Sequence, residues 1–177
     1  MPVVISLLRG INVGGKHMVP MADLRELYTS LGMTDVATHL QSGNVVCRAA
    51  RPVTAKRFED AIEERFGFRV SVVQRTAAEM RDVVARNPFP NDTDPAKLLV
   101  VFLAADPGDE ARRRVVDVAA PAPEDLRASG RELFIHFVNG LARPKLSTAA
   151  VERAIGVPGT GRNWNTVRKL AEMSTAL

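Results

Sequence analysis

The feature that most narrows the folds open to this chain is the rhythm of apolar residues over its first 75 positions. Val3 to Leu8 is a short apolar run that stops at Arg9, the pattern of a buried strand. Leu24, Leu27, Tyr28 and Leu31 then recur at helical spacing, with Pro20 ahead of them and Gly32 as a stop. Val36 to Leu40 and Val45 to Arg48 flank Gln41-Ser42-Gly43-Asn44, where Gly43 or Asn44 can take positive φ, so the pair reads as a hairpin. Phe58, Ala61, Ile62 and Phe66 form the stripe of a second helix ended by Gly67, and Arg69 to Gln74 reads as another strand. The order β-α-β-β-α-β is that of a split βαβ, or ferredoxin-like, unit.

Most of that order recurs further along. Thr76-Ala-Ala-Glu79 has the spacing of a capping box and opens a helix carrying Met80, Val83 and Val84, which Asn87-Pro88 ends. Three prolines and two aspartates between Asn87 and Pro95 mark a boundary. Leu98 to Leu103 is an apolar strand, and Asp106-Pro107 reads as an N-cap with proline at the first position of an arginine-rich helix. Pro123 to Ala128 and Glu132 to Val138 can pair across Ser129-Gly130. Leu146, Val151, Ala154 and Ile155 mark one more helix, and Trp164, Val167, Leu170 and Ala171 a last one, with no final strand evident between them. The expected fold is therefore α+β: two ferredoxin-like subdomains with antiparallel sheets and helices on one face. They span 1–75 and 98–177, the latter with a C-terminal helix, and are joined by a helix and linker over 76–97.

With 177 residues the chain can bury a sizeable core, and 46% hydrophobic with 25% charged residues is ordinary globular usage. A single cysteine, Cys47, rules out an internal disulfide framework or a cysteine-rich zinc site and favours a reducing compartment. The N-terminal apolar run is too short for a signal sequence, and no stretch is long enough to span a membrane, so the expected location is the cytoplasm. His17, His39 and His136 lie far apart without metal-ligand spacing, so no metal site is expected. The net charge of +4 permits contact with phosphorylated ligands or nucleic acid, although the 24 basic residues are mostly interleaved with 20 acidic ones. Arg112-Arg113-Arg114 shares its helix with Asp109, Glu110 and Asp117 and reads as a solvated face.

Gly10-Ile-Asn-Val-Gly-Gly15-Lys16 fits the letters of a phosphate-binding G-x-x-x-x-G-K loop. His17 stands where that motif needs a hydroxyl for magnesium, and Pro20 delays the helix, so a true P-loop is rejected. What remains is a twelve-residue connection, longer than the usual ~4–6, in which Arg9, Asn12, Gly14, Gly15 and Lys16 are candidates to hold an anion. Gln41, Ser42 and Asn44 are polar side chains with hydrogen-bonding capacity at the hairpin, though turn chemistry explains the same residues and is the favoured reading. Arg162, Asn163 and Trp164 precede the last helix, where an asparagine suits an N-cap and the tryptophan a core anchor. No aromatic residue lies on the first or third strand, which argues against RNA binding by base stacking.

Together the blocks Leu7–Lys16, Val19–Leu24, Gln41–Val45, Asn87–Phe89 and Thr160–Val167 resemble the bacterial family catalogued as domain of unknown function 1697. The resemblance implies two ferredoxin-like subdomains and no assigned activity, cofactor or catalytic residue. On sequence grounds the expectation is a small anionic, phosphate- or nucleotide-containing ligand at Arg9 to Lys16, with no cofactor specified. A charge-driven nucleic-acid module and a protein-interaction or self-association module are the alternatives.

Overall fold

The computed structural model describes residues 1–177 and contains two four-stranded antiparallel sheets and six α-helices. The chain divides into two compact units, Met1–Asp82 with Lys169–Leu177, and Val83–Arg168.

In the first unit, β1 (Val3–Leu8), α1 (Met21–Ser30), β2 (Met33–His39), β3 (Asn44–Ala49), α2 (Ala55–Phe66) and β4 (Val72–Thr76) follow one another, and the sheet order is β2-β3-β1-β4. Leu8, Val45, Cys47, Ala49 and Val72 share an apolar cluster with Leu24 and Tyr28 of α1 and Phe58 and Ile62 of α2. The alternate residues Ile5, Leu7, Val46 and Val73 are equally shut off from water. A strand buried on both faces needs apolar residues at successive positions, which is why β1 and β3 read as runs and not as alternations. Gly67, at φ 81°, terminates α2 in the left-handed conformation that lets its amide reach the Glu63 carbonyl. Edge strand β2 starts earlier than its apolar pattern and is bulged between Thr34 and Ala37, with Asp35 at φ 51° paired to Arg48 at 3.1 Å. A bulge of this kind twists the edge and discourages strand addition.

The second sheet holds β5 (Leu98–Leu103), β6 (Asp125–Ser129), β7 (Glu132–His136) and β8 (Gly159–Asn163) in the order β6-β7-β5-β8. Helices α4 (Asp109–Ala119) and α5 (Thr148–Ile155) cover it through Ala111, Val115, Val151 and Ile155 packed on Leu133, Ile135 and Phe137. Helices α3 (Ala77–Ala85) and α6 (Trp164–Ala176) each begin where the last strand of a sheet ends. Strand order and connectivity are the same in both units, a duplication that extends to side chains. Arg75 is the fourth residue of β4 and lies opposite Ile5; Arg162 is the fourth residue of β8 and lies opposite Val100. Both are buried, and each donates to the carbonyl of the preceding residue, at 2.8 Å to Gln74 and 2.9 Å to Gly161. The residue after each arginine caps the next helix, Thr76 through its reciprocal bonds with Glu79 and Asn163 by accepting from the Thr166 amide.

Two sequence expectations need correction. The second unit does have a final strand, β8, whose residues Gly159-Thr-Gly-Arg-Asn163 carry no apolar alternation. Its glycines are selected by crowding against β5: a Cβ on Gly159 would sit 2.9 Å from the Phe102 carbonyl oxygen. The arginine-rich helix starts at Asp109 behind Gly108, while Asp106 accepts from the Gly108 amide and so shapes the turn before the helix instead of capping it.

Candidate functional site

Because β1 runs antiparallel to β3 and β4, and β2 antiparallel to β3, one end of the first sheet collects three connections: 9–20, 40–43 and 67–71. The first of these is folded on itself. Gly14 and Gly15 have φ 58° and 72°, and Lys16 donates to the Val13 carbonyl at 3.1 Å, so Val13–Lys16 is a type I′ turn. The Asn12 amide donates to His17 at 3.1 Å and closes a miniature hairpin. The two glycines are therefore required by the turn itself, and Lys16 lies on the hairpin, separate from the start of α1 at Met21.

Asn12 is the clamp that fixes this hairpin. Its carboxamide oxygen accepts from the Val19 amide at 2.7 Å, and its nitrogen donates to the Val19 carbonyl at 3.0 Å and to the Gln41 carbonyl at 2.7 Å. Both ends of the loop and the neighbouring β2–β3 turn thus meet on one side chain. The Leu8 amide adds a bond to the Gly43 carbonyl at 2.9 Å. Gly43 itself packs so closely that a Cβ would stand 2.7 Å from Ile11 Cδ1. Buried Asn44 holds the turn from inside, donating to the His39 carbonyl at 2.7 Å and to the Ser42 hydroxyl at 3.1 Å. His17 stacks on Phe68 of the third connection, with ring centroids 4.6 Å apart.

Of the sequence candidates, Arg9, Gly14, Gly15, Lys16, Gln41 and Ser42 are exposed on this end of the sheet, whereas Asn12 and Asn44 hold the loops together. The third block belongs to the second unit. There Asn163 caps α6, Trp164 is buried at its first turn, and Arg162 donates to the Thr160 hydroxyl at 2.9 Å. Burial pushes the Arg162 guanidinium down to about 10, which leaves it charged at neutral pH. Sequence reasoning missed three large apolar side chains exposed around the Asn12 clamp: Val13 at 66%, Met18 at 58% and Leu40 at 56%. Each is the chain neighbour of a residue bonded through that carboxamide, a relation visible only once the fold is known.

Residues 9–22 and 36–58 contain no acidic side chain. His39, at the end of β2, is held below its usual value by burial and by the charge of Lys169. Behind the site, burial raises the Cys47 thiol to about 11, so it stays protonated at neutral pH and is not a ready nucleophile. Tyr28 is also raised, chiefly by burial, and its hydroxyl approaches that of Ser6 without reaching hydrogen-bond geometry. A separate groove lined by Lys56, Glu59, Asp60, Glu63 and Arg69 has its charges engaged internally, by Lys56–Asp60 and Arg69–Glu63 pairs at 2.7 Å and Glu59 on the Val72 amide.

Fold and site together define a duplicated ferredoxin-like α+β protein with a loop end on its first unit that is clamped by Asn12. The chain belongs to the family described as "Protein of unknown function (DUF1697)", whose family model matches residues 1–134. That span includes the Asn12 clamp and the Gln41–Asn44 turn and stops before Arg162. A solved structure, described as conserved bacterial protein SP0830 from Streptococcus pneumoniae, is similar in fold at a TM-score of 0.64. It shares 22% identity, with 98% of each chain covered. No curated protein matches the chain. No helix is long and apolar enough to cross a membrane.

Proposed function

We propose that the chain binds an anionic ligand, phosphate- or nucleotide-containing, at the loop end of its first unit, and that it acts as a binder in the cytoplasm. The observation that carries this reading is the Asn12 clamp, which holds the Val13–Lys16 hairpin and the Gln41 turn as one preformed surface. A preformed surface loses little conformational freedom on binding. Lys16 and Arg9 supply positive charge in segments without a carboxylate. Ser42 and Gln41 add hydrogen-bonding groups beside them. The single, buried Cys47 suits a reducing compartment.

The test is a thermal-shift and calorimetric screen of nucleotides, sugar phosphates and acyl-coenzyme compounds on the whole chain, repeated with Lys16→Ala and Arg9→Ala. Binding that weakens about tenfold in Lys16→Ala supports the site. A ligand whose affinity is the same in both variants removes this loop from consideration.

A further inference from the structure

The loop end is not only basic. Val13, Met18 and Leu40 project large apolar side chains into water there, each more than half exposed. They are not scattered. Val13 follows Asn12, Met18 precedes Val19 and Leu40 precedes Gln41, and the Asn12 carboxamide binds both Val19 and Gln41. The backbone at all three therefore lies next to one fixed point, and Lys16 pairs with Val13 across the hairpin turn. Exposed aliphatic groups clustered on a held backbone mark a contact surface, since water solvates them at a cost that only a partner relieves.

The residue types narrow the partner. A single-stranded nucleic acid needs aromatic rings to stack its bases. The rings of His17 and Phe68 at this end already stack on each other. A membrane interface favours tryptophan and tyrosine at the headgroup level. The one tryptophan and one tyrosine of this chain, Trp164 and Tyr28, are buried elsewhere. A second copy docking by the same surface would bring Lys16 toward its own counterpart, where like charges repel. An acidic polypeptide segment meets both requirements: its carboxylates complement Lys16 and Arg9, and its aliphatic side chains cover Val13, Met18 and Leu40. Methionine, flexible and polarisable, suits such a contact.

We infer that the loop end of the first unit docks an acidic polypeptide segment bearing aliphatic anchors, held by Lys16 through charge and by Val13, Met18 and Leu40 through apolar contact. This rests on the anion-binding reading of the same loop, with the carboxylates of a polypeptide as the anionic groups in place of phosphate.

Fluorescence anisotropy with two labelled short peptides tests it, one in which leucines are spaced among glutamates and one with serine at each leucine. The leucine peptide is expected to bind about tenfold more tightly than the serine peptide. Val13→Ser combined with Leu40→Ser, both at exposed positions, should abolish that preference while leaving the weak serine-peptide binding in place. Lys16→Ala should weaken both. Equal binding of the two peptides, or a leucine preference that survives the double variant, overturns the inference. So does an apolar dependence that appears with phosphatidylglycerol vesicles or oligothymidylate and not with peptide. Nucleotide binding that depends on Lys16 but not on Val13 or Leu40 overturns the polypeptide partner and leaves the anion site standing. If neither peptide nor nucleotide binding depends on Lys16, both readings fall.

Discussion

The two units share strand order and matching buried arginines, yet they spend their extra residues at opposite ends of their sheets. In the first, twelve residues (9–20) join β1 to α1 and five (50–54) join β3 to α2. In the second the proportions reverse: five residues (104–108) join β5 to α4, and eleven (137–147) join β7 to α5. Since β1 and β3 run antiparallel, as do β5 and β7, these connections leave from opposite sheet ends. Each long connection is tied by one polar side chain. Asn12 does this in the first unit; in the second, the buried Glu124 carboxylate accepts from the Lys145 and Leu146 amides at 2.8 and 3.0 Å. Where a connection merely connects, the fold keeps it near five residues. Where it runs twice as long, a dedicated hydrogen-bonding group supports its shape, the arrangement expected of a surface that must stay in one conformation.

Changing equivalent turns separates the two designs most sharply. Gly43→Ala places a Cβ 2.7 Å from Ile11 at φ 81°, and should cost about 3 kcal/mol through overpacking and left-handed strain. Gly130→Ala, in the corresponding β6–β7 turn at φ 59° with its nearest neighbour 3.7 Å away, should cost only about 1 kcal/mol. Urea denaturation of both variants checks the difference, and equal losses would mean that the loop end of the first unit repacks freely.

Glu124→Ala strands one buried and one partly buried amide and should destabilise by about 2–3 kcal/mol, again read from urea midpoints. Asn12→Ala removes three bonds at a half-buried position and should cost about 1–2 kcal/mol, with a disproportionate loss of ligand binding. If Asn12→Ala binds as the parent does, the clamp is irrelevant to the surface.

Alkaline pH should weaken the first unit selectively, because Cys47 and Tyr28 both belong to it. Burial pushes the folded Cys47 thiol up to about 11 from an ordinary 9.0, so its neutral form is favoured by folding. That contribution is intact below pH 9 and is lost as pH rises through 11. Tyr28, raised in the same sense, extends the loss further upward. Cys47→Val should flatten the fall in denaturation midpoint across this window, and an unchanged profile would assign the fall elsewhere. The smallest effect is expected of Tyr28→Phe at neutral pH. Its hydroxyl has no hydrogen-bond partner while its ring stacks on Phe58 at 4.2 Å, so a change within about 0.5 kcal/mol should appear in the same titration.

How far the sequence spoke depended on how local each cause was. The Thr76–Glu79 capping box and the helical stripes of α1 and α2 lie within a few residues of their own signals, and they stand as the spacing indicates. β8 was invisible because its glycines answer to the crowding of β5, some sixty residues away in the chain. The glycine loop announced itself, but its meaning did not. Gly14 and Gly15 serve a type I′ turn, and the residue that organises the end is Asn12, whose partners lie seven and 29 positions away. Exposure of Val13, Met18 and Leu40 runs against the usual rule for apolar residues and leaves no local trace.

The division of the chain has a consequence for its synthesis. The second unit is one continuous segment, Val83–Arg168, whereas the first draws on Met1–Asp82 and on Lys169–Leu177. A ribosome therefore delivers every residue of the second unit before the last residues of the first. At about 5–20 residues per second, the Met1–Asp82 sheet waits on the order of ten seconds for its closing segment. During vectorial synthesis the unit that begins first is thus the unit that finishes last.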